Sequence, residues 1–522
     1  MILGQSTPQQ TALLAKSGRS TMDDIFRRAA LRRPEAIALA DPPNRPSVTG
    51  GVARRLTYAQ ADRMISAIAG RLCRLGLKTD QIVGMQMANT VDAVLTLLGI
   101  LRAGLIATPL PLLWRQADCV AALGRIGATA LIVSGRIGSV DHSALAMNVA
   151  ADVFNIRQVG GFGDDLPDGL VSFDDLYAAG TIDPPPSVER PVNPAAHVAV
   201  ITWDVCADGL VPVARSHFEV LAAGAAITLE SRLEQNMVIL SSLALPSFAG
   251  LASAVMPWLL VGGTLALHHP FDHVAFAQQC KAEQCQVIVV PAALALRLAD
   301  SGVFNRRDGA KTVIAAWRAP ELLAGSRAWG DLSIGLVDIP VFGETALFAA
   351  RRGGGGRPAS LGLGPIMAPR GAPGALHMAE VKRSENGTLA VRGPLVPKFP
   401  LPSEVDREGK PLFKVGADGF ADTGYACEVD PTSNLVTISG PPADMVAVGG
   451  YRFGLRALTD MAAQAEPGSS VTALPDGLAG RRLAGTATDR DRVRDALATR
   501  GVNPLIIGAF GASRDEERRA EA

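Results

Sequence analysis

A chain of 522 residues is too long for one small domain, and with 48% hydrophobic residues it can bury a large core. Its 50 basic residues balance 50 acidic ones, so no charge excess points to nucleic acid or to an anionic membrane surface. Six cysteines without regular spacing argue against a disulfide framework, and the close pair Cys280 and Cys285 reads as buried structural thiols in preference to half of a metal site.

Residues 1–20 read as a loose polar tail, without the basic start and apolar run of a signal peptide. Arg102 and Pro257 interrupt the most apolar windows, so neither gives the roughly 20 clean residues of a membrane helix. The reading is a cytoplasmic protein with no transmembrane segment. In "TMDDIFRRAALRRPEAIAL" Thr21 is a helix cap, followed by acidic first-turn residues. "RRLTYAQADRMISAIAGRLCRLGL" is a turn into a long amphipathic helix. "QIVGMQM", "LIATPL" and "ALIVSG" read as strands around the helix "TVDAVLTLLGILRAG". "HVAVI" leads through "TWDVCADGLVPVARSH", read as a loop, into the helix "FEVLAAGAAITLESR". "NMVILSSL", "GGTLALHH" and "CQVIVVP" are further short apolar runs between helical stretches. Alternation of strand and helix predicts a layered α/β fold with largely parallel sheets. The Gly- and Pro-rich residues 350–374 read as a surface loop; no Lys and Ser/Thr follow Gly353–Gly356 at phosphate-loop spacing. "GTLAVRG", "NLVTISG" and "MVAVGG" then read as strands, and "SRDEERRAEA" as a frayed end.

From residue 21 to 455 the order of motifs resembles the adenylate-forming superfamily: acyl-CoA synthetases, aryl-CoA ligases and peptide-synthetase adenylation domains. "VMPWLLVGGTLALHHPFD" is similar to its central "pLl-GGt-vl---fd" stretch. "VFGETA" stands where the family has "YGxTE", "NGTLAVRGP" resembles "GELxVRG", "DGFADTGY" resembles "DGWxxTGD", and "SGPPADMVAVGGYRF" resembles "GRxKDmIxxgGyri". The resemblance implies a large N-terminal domain of stacked sheets and helices over residues 21–443, then a hinge at Asp444 and a short, divergent α/β domain over 444–522. It implies activation of a small carboxylic acid by ATP and Mg2+ to an acyl-adenylate, then transfer to CoA or a carrier protein.

The charges that chemistry needs are missing from the matching positions. Where the family has "YTSGTTGxPKGVxxSH", this chain keeps Thr202, Gly209, Ser216 and His217 but has Trp203, Asp204, Val205 and Cys206 in the hydroxyl region. The lysine falls at Val211, no lysine lies from 79 to 280, and Asp204 and Asp208 would repel phosphate. Ala346 stands for the metal-linked glutamate, with neighbouring Glu344 expected to point elsewhere. Tyr425 replaces the ribose-binding aspartate and Pro441 the arginine; Lys414 is the last lysine, so the short domain supplies no catalytic one. Each such loss typically costs about 10²–10³ in rate, roughly 3–4 kcal/mol. What the resemblance leaves at the nucleotide site is Thr202, Gly209, Gly343, Glu344, Thr345 and Tyr425, with Arg215 or Arg452 as substitute charges. His217 reads as a capping or core residue. Phe248 and Ala249 mark an apolar acyl-pocket wall. No metal ligands and no Ser–His–Asp set stand out. Three functions stay open: a divergent ligase, a non-catalytic acyl- or CoA-binding regulatory module, and a subunit that stabilises an active paralogue.

Overall fold

Helices begin where the sequence places their caps. In the computed structural model the Thr21 hydroxyl accepts from the Asp24 amide at 3.1 Å while the Asp24 carboxylate accepts from the Thr21 amide at 2.8 Å, and helix Met22–Arg32 follows. Thr57 and Gln60 repeat the device ahead of helix Tyr58–Arg74. Helix Val91–Arg102 is buried on every face, as its near-continuous apolar sequence requires. The structure describes residues 19–178, 188, 190, 193–207, 209–304, 309–330, 333–367, 377–398, 401, 413–476 and 479–511. Most of the expected tail, Asp208, residues 368–374 of the Gly/Pro-rich segment and the charged C-terminal end lie outside the described residues.

Two sheets carry the expected α/β alternation. In the first, parallel strands Gly335–Phe342, Thr312–Trp317, Val287–Pro291, Val238–Ser241, Thr264–Leu267 and Ile37–Ala40 lie side by side, with Ala346–Leu347 and Arg55–Thr57 antiparallel at the two ends. In the second the order is Gly209–Ser216, Val198–Cys206, Ile106–Pro109, Ile82–Gln86, Ala130–Ser134, Gln158–Phe162, Val171–Ser172, parallel except for the first pair. That pair corrects the reading of "TWDVCADGLVPVARSH" as a loop. It is a hairpin with Cys206 opposite Gly209, and the helix His217–Glu230 starts only after its second strand.

A single glycine joins the first sheet to the core. The Tyr58 hydroxyl and the Trp258 indole N–H both donate to the Gly263 carbonyl, at 2.8 and 3.1 Å. A Cβ at Gly263 would run into the Met237 carbonyl, so no other residue fits. Phe26, Tyr58 and Trp258 pack ring to ring there, their centroids 5.6–6.4 Å apart. Strands Leu361–Gly362, Gly364–Met367, His377–Arg383, Thr388–Arg392, Ala421–Val429 and Leu435–Gly440 form a separate antiparallel sheet, the β-rich region that the sequence suggests. Beyond it, hairpin Met445–Val448/Tyr451–Gly454, helix Leu455–Ala465, hairpin Ser470–Asp476/Gly480–Thr486 and helix Arg490–Thr499 enclose a hydrophobic cluster of their own, from Val446 to Phe510.

Candidate functional site

Parallel strands leave a crevice beyond their carboxyl ends, and open α/β sheets hold ligands there. Here Ser247 and Phe248 follow strand Val238–Ser241, Arg318 follows Thr312–Trp317, and the turn Gly343–Thr345 follows Gly335–Phe342. Hairpin Val198–Cys206/Gly209–Ser216 of the second sheet faces that turn. Hairpin Met445–Gly454 reaches in from the C-terminal unit, with Gly454 beside the Cys206 carbonyl.

Asp204 stands between that turn and the entering hairpin. One carboxylate oxygen accepts from the Glu344 amide at 2.7 Å; the other accepts from its own neighbour Val205 N–H at 2.8 Å and from Arg452 at 2.5 Å. The pair with Arg452 is largely buried, the side chains being 12% and 14% exposed. Across the ladder, Asp204 stands directly opposite Val211, which is buried in the apolar core. The Arg452 guanidinium also lies 5.7 Å from the centre of the Tyr425 ring. Tyr425 is buried edge-to-face against Phe342, centroids 5.3 Å apart, and burial pushes its hydroxyl up to about 12. Gly343 has φ +57°, and a Cβ there would collide with both Arg452 and Asp204.

Arg215 fills the inner wall. It is fully buried, donates to the carbonyl oxygens of Glu344 and Thr345 and to the Thr202 hydroxyl at 3.2 Å, and lies 3.7 Å above the Phe248 ring. Burial lowers it to about 10 against the opposing pull of Glu344. The Glu344 carboxylate accepts from the Phe248 amide at 2.7 Å, and burial raises it despite Arg215 and Arg318. Expected to face away along an extended segment, Glu344 instead sits in a turn that points its carboxylate back at the Phe248 helix start. Arg318, which the sequence did not single out, bridges Ser247 Oγ at 2.5 Å and the Gly450 carbonyl at 3.0 Å.

The sequence-derived residues thus divide. Thr202, Gly343, Glu344, Thr345, Tyr425 and Phe248 share one network with Asp204, Arg215 and Arg452. Gly209 lies at the outer turn of the hairpin with φ +116°, and Ala249 is buried behind Phe248. Ala346 is fully buried in the short strand after the turn. Asp444 adopts φ +59° and takes an Arg456 contact at 3.1 Å, just ahead of the entering hairpin. His217 is a core residue: its Nδ1 accepts from the Met22 amide at 3.3 Å, the neighbouring Ser216 provides the cap, and burial pushes the imidazole down to about 3. Among the described residues no group of three or more His, Cys, Asp or Glu is arranged to hold a metal ion, and no helix is long and apolar enough to cross a membrane.

Comparison with known proteins decides the family. The model of the AMP-binding enzyme family matches residues 26–333. The chain belongs to that family. Over 184 residues it is 33% identical to the salicyl-AMP ligase / salicyl-S-ArCP synthetase of Mycobacterium tuberculosis, a stretch covering 34% of this chain and 30% of that protein. Over 507 residues it is 25% identical to the 2-hydroxy-7-methoxy-5-methyl-1-naphthoate–CoA ligase of Streptomyces carzinostaticus, covering 90% and 84% of the two. The fold matches that of apo MbtA from Mycobacterium smegmatis with a TM-score of 0.64 at 20% identity, over 97% of this chain and 93% of that one.

Proposed function

We propose that this acyl-CoA synthetase-like chain has lost ATP-dependent acid–thiol ligation and acts as a non-catalytic subunit, binding an acyl or CoA ligand or stabilising an active paralogue. The observation that carries the reading is the state of Asp204. A carboxylate occupies the crevice where the resemblance puts triphosphate, its acceptor sites are taken by the Glu344 amide and Arg452, and Val211 faces it in place of a lysine. ATP and Mg2+ do not fit these residues. A phosphate would meet Asp204, the ribose position holds the buried Tyr425 ring, and Ala346 offers the metal nothing. Neither substitute charge is free, since Arg215 is sealed on backbone carbonyls and Arg452 is paired.

Asp444, at positive φ before the inserted hairpin, is the hinge in this reading, with the large unit before it and residues 444–522 after it. Phe248 and Ala249 wall the acyl side. Two of the relatives carry names of aromatic acids with a hydroxyl beside the carboxyl-bearing carbon, so such hydroxy-aryl acids are the first ligands to try. The test is calorimetry with millimolar ATP and Mg2+. The expected result is no heat and no thermal shift with nucleotide, alongside a shift with an aryl acid, its CoA thioester or a co-purifying paralogue. ATP binding with acid-dependent pyrophosphate release would instead establish a working ligase.

A further inference from the structure

Helix His273–Ala282 ends in a backbone arrangement that places two thiols side by side. Gln284 takes the left-handed conformation, φ +51°. The Cys285 amide donates to the Cys280 carbonyl at 3.0 Å and the Gln284 amide to the Lys281 carbonyl at 3.2 Å, the paired bonds of a Schellman cap. In that cap the side chains five positions apart meet, and the usual contact is hydrophobic. Here both positions are cysteine. The Cys285 thiol turns back onto the helix end, where it donates to the Gln279 carbonyl at 4.0 Å, and the neighbouring Cys280 thiol, followed by burial, pushes it well above its ordinary range. The sulfurs are free. The link between them runs along the surface: Lys281, Ala282 and Gln284 are exposed.

We propose that Cys280 and Cys285 form a reversible disulfide closed by a small-molecule disulfide such as oxidised glutathione. Cys280, 8% exposed against 2% for Cys285, is the attacking thiol. Its thiolate bonds to one glutathione sulfur, the glutathione S–S bond breaks, and the released glutathione thiolate takes up the Cys280 proton. The Cys285 thiolate then attacks the Cys280 sulfur of the mixed disulfide and expels the second glutathione, which leaves as a thiol with the Cys285 proton. Two protein thiols and one glutathione disulfide give one protein disulfide and two glutathione thiols. Access comes from fraying of the helix end, where a non-glycine residue in the left-handed region weakens the cap. The closed bridge would staple the helix end to the start of strand Val287–Pro291, in the cluster that also holds Phe276 and Ile288.

The test incubates the native protein with oxidised glutathione, quenches in acid, denatures, alkylates and maps peptides. The six free thiols should fall to four, with residues 280 and 285 in one linked pair and reversal by dithiothreitol. Cys285→Ser should stop at a stable glutathione adduct on Cys280, and Cys280→Ser should keep all its remaining thiols. Six thiols retained by the native protein, a linkage mapped to other cysteines, or a Cys285→Ser variant that takes up no glutathione would each overturn the proposal.

Discussion

Replacing Asp204 by Asn keeps the side-chain shape and an acceptor oxygen but removes the charge opposite Arg452. Both side chains are mostly out of water, at 12% and 14% exposure, so solvent screens the pair weakly. Removing one partner of a fully buried pair costs about 3–5 kcal/mol, because the other charge stays behind unpaired. The residual exposure and the retained bond from the Glu344 amide reduce the expected loss to about 2–3 kcal/mol. Arg452→Met keeps the packing of the stem near Tyr425 and should cost about the same. Since both substitutions break one contact, the double variant should cost little more than either single one, which is a coupling of about 2 kcal/mol. Guanidinium titration of the four proteins, followed by tryptophan emission to which neighbouring Trp203 contributes, measures it. Costs that add to within about 0.5 kcal/mol would refute the claim that this pair ties the C-terminal hairpin into the crevice.

Gly343→Ala should destabilise by at least about 2 kcal/mol in a thermal melt, because a Cβ at φ +57° is strained and collides with the same ion pair. The variant should also be cut faster between strand Leu435–Gly440 and the hairpin Met445–Gly454; unchanged proteolysis would count against the contact. Arg215→Met leaves the carbonyls of Glu344 and Thr345 without their donor and the buried Glu344 carboxylate without its strongest opposing charge, for an expected loss of about 3–5 kcal/mol in denaturant titration. Acid should weaken the fold through His217. The folded imidazole titrates near 3 and the unfolded one near its ordinary 6.5, so below about pH 6.5 the unfolded chain holds the extra proton and stability falls by up to about 1.4 kcal/mol per pH unit. In His217→Asn, whose amide oxygen can still accept from Met22, urea titrations between about pH 6 and 4.5 should lose the His217 share of the slope and keep that of the other lowered histidines, His269 above all; a slope equal to that of the parent would refute the His217 contribution.

Local signals carried most of the architecture. Thr21 and Thr57 announce their helices because capping chemistry is confined to four residues. The apolar runs around Val83, Ile132 and Val289 read as strands because both faces of a parallel sheet are covered. The motif spacing reads residues 202–217 as a phosphate loop, and that expectation overrides the local pattern of two paired strands. Both flanks are strand, and the ladder runs from Val198 opposite Ser216 to Cys206 opposite Gly209. That Val211, Ala346 and Tyr425 carry no charge is plain in the sequence, but the side chains that surround them are not. Arg318 takes its partners from 71 and 132 positions away, and Asp204 meets Arg452 across 248. No periodicity encodes such distances. Glu344 shows the same limit: its direction follows from the left-handed Gly343, which the sequence allows without requiring.

The shared acceptor at Gly263 also sets an order of events during synthesis. Tyr58 waits for a carbonyl 205 residues further along the chain, and strand Ile37–Ala40 has only the short Arg55–Thr57 beside it until Thr264–Leu267 emerges. At ribosomal speeds of roughly 5–20 residues per second, that leaves an open strand edge and the rings of Phe26 and Tyr58 without Trp258 to pack on for about 10–40 s. The N-terminal helices, though first made, are completed late. During that interval the nascent chain is exposed to edge pairing and to any chaperone that reads apolar surface.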